Sequence, residues 1–147
     1  MKETNCLVVP IDFSETTDKL VEYAVYMAGK LSAEIHFVHV VHFYAGDAMV
    51  GFAYAQECEE KLLSNARQRM ANLLADNKEA AKGCSGDVLV GDPVEKIVEF
   101  AKKSSADLLI ISTHGAKGLE KILLGSVAER VLKRVHCPVL FLNPYKK

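Results

Sequence analysis

Apolar and polar positions along this chain follow two periods in turn. Short apolar runs at 6–9, 34–41, 86–90, 107–112 and 139–142 read as buried strands. Between them, apolar residues recur every three or four positions, as on one face of a helix. Leu20, Val21, Ala24, Val25, Ala28 and Leu31 make one such face. Leu62, Leu63, Ala66, Met70, Leu73 and Leu74 make a second, on a long helix at about 55–80. Val94, Ile97, Val98 and Ala101 make a third. Val127, Ala128, Val131, Leu132 and Val135 make a fourth, on a helix beginning near Gly125.

Local signals punctuate these elements. Ser14 is placed to cap the first helix. Asp92-Pro93-Val94-Glu95 starts the third, with Asp92 at the N-cap, Pro93 at the first helical position and Glu95 able to reach back. Gly83 and Gly86 mark the turn into the third strand, and Pro138 stops the last helix. Strand and helix alternate without repeat or linker. The expected fold is therefore α/β: one domain over 1–147, with a doubly wound, mostly parallel five-stranded sheet and helices on both faces. Such sheets bind ligands beyond the carboxyl ends of the strands, where the winding reverses. Here that crevice lies between the ends of strands 1 and 4, with Asp12 on one wall and 112–115 on the other.

Composition narrows the class. The 147 residues are 50% hydrophobic and 25% charged with net charge −1, which gives no reason to expect a nucleic-acid partner. No apolar run approaches the ~20 residues of a membrane span, and no signal segment is visible. Cys6, Cys58, Cys84 and Cys137 are scattered without CxxC spacing, as in a reduced, cytoplasmic protein.

Residues 112–127 carry the candidate chemistry. Small residues follow a strand, and Gly125-Ser126 opens a helix. A helix start leaves backbone N–H groups unpaired, and its dipole favours an anion, phosphate above all.

These residues resemble the universal stress protein family, along the whole chain. The resemblance rests on Val8-Val-Pro-Ile-Asp-Phe-Ser14, His39-Val-Val41, Gly91-Asp-Pro93 and Cys137-Pro-Val139. Its most specific part is Thr113-His-Gly115, nine residues, then Gly125-Ser126-Val-Ala-Glu-Arg130. Nucleotide-binding members carry Gly-x₂-Gly-x₉-Gly-(Ser/Thr). Gly115, Gly125 and Ser126 match, and Ser112 replaces the first glycine. The resemblance implies the Rossmann-like fold of the adenine nucleotide alpha hydrolases. It implies a regulatory ligand in a stress response: ATP, alone or with Mg²⁺, or a related adenine nucleotide. Pro10, Ile11 and Asp12 would line ribose and adenine, and Val40 would meet the adenine. Gly115, Gly125, Ser126 and Val127 would wrap the phosphates, bordered by Ser112 and His114. It further implies a homodimer paired through Val139–Leu142.

Other readings stay open beside this one. Ser112 favours an ATP-independent dimeric adaptor of the same fold. Asp12 reads equally as a turn or capping residue, and His114 as a loop-orienting residue or a general base. The aromatic loop 42–54 is a lid, a packed surface loop or a dimer contact. No dedicated enzyme is expected, at most slow ATP hydrolysis: neither the P-loop pattern nor Gly-x-Gly-x-x-Gly occurs. No metal site is expected. His39 faces away from His36 and His42, which stand roughly 20 Å apart along an extended strand.

Overall fold

The computed structural model describes residues 3–42, 51–80, 82–114 and 124–146, without the side chain of Phe52. Nine elements follow in order: β1 (Cys6–Pro10), α1 (Thr17–Leu31), β2 (Glu34–Val41), α2 (Phe52–Asp76), β3 (Cys84–Val90), α3 (Pro93–Lys103), β4 (Leu108–Ser112), α4 (Ser126–Arg134) and β5 (Val139–Leu142).

The strands form one sheet in the order β3-β2-β1-β4-β5, and every pairing among the described residues is parallel. β1 lies at the centre with Leu7, Val8 and Val9 wholly buried. Leu7 and Val9 join Ile35 and Phe37 against Leu20, Ala24 and Ala28 of α1 and Met70 of α2. Val8 and Val38 join Leu109 and Ile111 on the other face, against Val94 and Ile97 of α3 and Val131 of α4. Burial on both faces is why these strands read as continuous apolar runs. The winding reverses between β1 and β4, at the expected place.

Several boundaries and faces differ from the sequence reading. α2 begins at Phe52 and ends at Asp76. Turns closed by Ala80 N–H on Asn77 O and Gly83 N–H on Ala80 O then lead into β3. That strand starts at Cys84 because Cys84 pairs in register with Ile35. The expected helix faces are wider than the buried ones: Leu31, Leu62, Leu132 and Val127 are exposed. Ser14 is not the cap of α1. Thr16 holds that position without a side-chain cap bond, because the Asp12 carboxylate organises the turn instead. Asp12 Oδ1 accepts from Ser14 N–H at 2.9 Å and from the Thr17 hydroxyl at 3.4 Å.

The expected cap of α3 forms, with Asp92 Oδ1 accepting from Glu95 N–H at 3.0 Å. That bond holds the Asp92 carboxyl below its ordinary pKa, and the charges of Arg130 and His42 act in the same direction. Among the described residues no helix is long and apolar enough to cross a membrane.

Candidate functional site

A cavity of about 500 Å³ opens where β1 and β4 diverge. Nine of the ten residues singled out from sequence border it: Pro10, Ile11, Asp12, Val40, Ser112, His114, Gly125, Ser126 and Val127. Gly115 lies outside the described residues, as do Lys117, Lys121 and most of the loop at 42–54. Thr16, Thr17 and Val38 also border the cavity and had no separate signal in the sequence; His39 and Thr113, which stood in the quoted motifs without a site role, border it too.

The β4 wall is built by backbone. Gly125 N–H donates to Thr113 O at 2.6 Å, drawing the start of α4 against the end of β4. A Cβ at Gly125 would stand 3.0 Å from that carbonyl oxygen, so any other residue here needs the oxygen to give by a few tenths of an ångström. This corrects one expected role: the Gly125 amide is spent inside the protein and is not a phosphate donor. The next amides differ. Glu129 N–H closes on Gly125 O, the first bond of the helix. The amides of Ser126, Val127 and Ala128 precede any such partner. Gly125 supplies no side-chain cap, and these residues border the cavity. An uncapped helix start facing a cavity concentrates N–H donors and positive potential there.

Ser112 closes the loop on itself. Its hydroxyl donates to His114 O at 2.8 Å, and His114 N–H points back to Ser112 Oγ at 3.3 Å. His114 is 3% exposed. Its Nδ1 lies 2.7 Å from the Thr113 hydroxyl, and Tyr145 meets the ring edge-on at 5.1 Å. The imidazole thus fastens the loop to the chain beyond β5.

The β1 wall carries the carboxylate of Asp12, with Thr16, Thr17 and His39 beside it. Both bonds that Asp12 accepts fall on Oδ1, and among the described residues Oδ2 has no protein partner. Phe13 follows at φ +57°. A left-handed conformation costs an L-residue roughly 1–2 kcal/mol, so neighbouring contacts must hold it. His39 Nδ1 donates to Ile11 O at 2.8 Å, which places the lone pair of the neutral ring on Nε2. The register Pro10↔Val38 brings these strand ends together, which no pattern within either segment reveals. His36 sits at the other end of β2, 3.6 Å from Glu34. Among the described residues no three His, Cys, Asp or Glu side chains gather as metal ligands.

Comparison with known proteins agrees with this architecture. A sequence model described as "Universal stress protein family" matches residues 5–143. Universal stress protein MJ0531 of Methanocaldococcus jannaschii is 34% identical over 141 residues, covering 96% of this chain and 83% of that protein. The solved structure of MJ0577, from the same organism, superimposes with a TM-score of 0.86 at 27% identity and covers 99% of both chains. A universal stress protein solved in complex with cAMP gives a TM-score of 0.62 at 26% identity, covering 97% of this chain and 99% of that one. The chain belongs to the universal stress protein family.

Proposed function

We propose that this universal stress protein binds an adenine nucleotide, ATP foremost, in the cavity between β1 and β4 as a regulatory ligand of a stress response. One observation carries the reading: the uncapped start of α4 and the Asp12 carboxylate border the same 500 Å³ cavity. The residues present fit such a ligand. Pro10, Ile11 and Val40 offer an apolar seat for the base. Asp12 Oδ2 is available to accept from ribose hydroxyls. The amides of Ser126, Val127 and Ala128, with the Ser126 hydroxyl, suit phosphate oxygens. The related protein solved with cAMP supports an adenine nucleotide as the ligand class. The ligand acts by favouring whichever conformation binds it better, which changes partner choice. β5 lies at the sheet edge with its four residues half-buried, as a strand covered by a second copy in a homodimer would be.

A second reading has its own observation. The Ser112 hydroxyl takes the His114 amide that a glycine would leave to a ligand. This favours a dimeric adaptor that works without nucleotide.

Calorimetric titration with ATP and Mg²⁺ separates the two, after any co-purified nucleotide has been stripped and identified. The nucleotide reading expects micromolar binding near one site per chain. Folded protein with no binding up to millimolar ATP overturns it in favour of the adaptor.

A further inference from the structure

The two carbonyls that flank Asp12 are each held by a side chain from a different element. Ile11 O, before it, accepts from His39 of β2 at 2.8 Å. Phe13 O, after it, accepts from Arg69 Nη2 of α2 at 2.9 Å. The same two side chains enclose the Phe13 ring. The Arg69 guanidinium lies 4.8 Å from the ring centroid, and the His39 ring packs at 4.7 Å, tilted by 53°. Between these contacts Phe13 keeps its left-handed backbone, φ +57°. An aromatic residue leaves that region when nothing holds it.

We infer that Arg69 and His39 are positioning residues for Asp12: by fixing the peptide groups on both sides, they aim its carboxylate into the cavity. The inference rests on the reading of Asp12 as the acceptor for ribose hydroxyls. Arg69 is the discriminating member of the pair. His39 borders the nucleotide cavity itself, whereas Arg69 borders an adjoining cavity of about 280 Å³ that shares Asp12, His39 and Val40 with it. Arg69 does not line the nucleotide cavity, and its described contacts with the β1 wall are those with Phe13. A guanidinium suits the task because one nitrogen can bond the carbonyl while the plane lies over the ring. Arg69 is exposed on α2, so its removal opens no cavity in the core.

The test compares ATP with 2′,3′-dideoxy-ATP, whose affinity ratio isolates the ribose hydroxyls. The wild-type protein is expected to favour ATP by about 10-fold or more, as a hydrogen bond to a charged acceptor gives. Asp12→Ala should bring the ratio near one. Arg69→Ala should lower it to about 3-fold or less, with dideoxy-ATP affinity unchanged. Arg69→Lys should fall between, since an ammonium cannot make both contacts at once. In the Asp12→Ala background, Arg69→Ala should change the ratio no further.

A ratio that collapses with Asp12→Ala but survives Arg69→Ala overturns the inference and leaves the proposed site standing. Equal losses for both ligands in Arg69→Ala also overturn it, because they mark a merely structural role. Equal binding of both ligands by the wild-type protein removes the ribose role of Asp12 itself, and the inference with it.

Discussion

The amide of Gly125 donates to the carbonyl of Thr113 across 2.6 Å, and nothing larger than hydrogen fits on the Gly125 α-carbon without pressing on that oxygen. Strand end and helix start are thereby one unit. Gly125→Ala should weaken ATP binding and also lower the melting temperature, because Cβ displaces Thr113 O as well as the helix start. A bulkier Gly125→Val is then no clean probe of the phosphate seat. Calorimetry and thermal unfolding on the same sample check the pairing. A variant that loses affinity with its stability intact would show that the tie is not structural.

Ser112→Gly should tighten ATP binding by about 3–10-fold, the value of one neutral hydrogen bond gained. The substitution releases the His114 amide that Ser112 Oγ now occupies. Weaker binding would show that the serine hydroxyl turns toward the nucleotide and serves as a ligand. Titration of the variant beside the wild-type protein decides.

Asp92 gives the acid limb of stability a defined sign. Its folded pKa lies below the 3.8 of the free group, chiefly because Glu95 N–H bonds the charged form. The cap's contribution is therefore full above the unfolded value and is lost as pH falls through the folded one. Asp92→Asn keeps a capping oxygen but does not titrate. Urea midpoints from pH 7 down to pH 2 should fall less steeply for this variant than for the wild-type protein. Parallel curves would remove the cap from the account of acid unfolding.

Gly86 lets α2 lie close on β3. A Cβ there would run into the Met70 side chain, with its Cγ at 2.9 Å and Leu74 Cδ1 at 3.4 Å. Gly86→Ala should destabilise by about 1–3 kcal/mol, the usual cost of overpacking. Met70 is flexible and can yield, which places the expected loss toward the lower end. Denaturant unfolding measures it.

Three thiols should alkylate slowly. Burial pushes Cys6, Cys84 and Cys137 above the ordinary thiol pKa, and the Asp107 charge adds to this at Cys6 and Cys137. At pH 7.5 each should react with iodoacetamide several times more slowly in the folded than in the unfolded protein. Peptide mass spectrometry after timed quenching reads the rates. Equal rates at any of the three would show that burial does not protect it.

Much of this architecture was legible wherever the determining signal is local. Asp92-Pro93 announced its helix because cap and first turn lie within four residues. The run at β1 announced a strand, and the structure buries it on both faces. The spacing from Gly115 to Ser126 pointed to the cavity that Gly125 and Ser126 border. Signals that depend on register or on distant packing left no such trace. His39 on Ile11 O follows from the alignment of β2 with β1. Arg69 on Phe13 O joins residues 56 apart, on a helix face whose pattern shows only its buried side. Ser14 looked like a cap because capping residues are recognised by type, and Asp12 two positions earlier took its amide instead. The resemblance implied a Gly125 amide turned to phosphate, and the nearness of Thr113 took that amide instead.

The reversal of winding at β1 has a consequence for the order of events during folding. The walls of the cavity come from segments about 100 residues apart, joined where Leu7 pairs with Leu108. Loop closure over that distance is among the costlier steps for this chain. No fragment ending before β4 contains a site. A ligand in this crevice therefore recognises only the finished sheet, and its binding free energy is added to the whole fold rather than to one part. If the proposed nucleotide binds there, its concentration would shift the balance between folded and unfolded chain, and with it the share open to proteolysis.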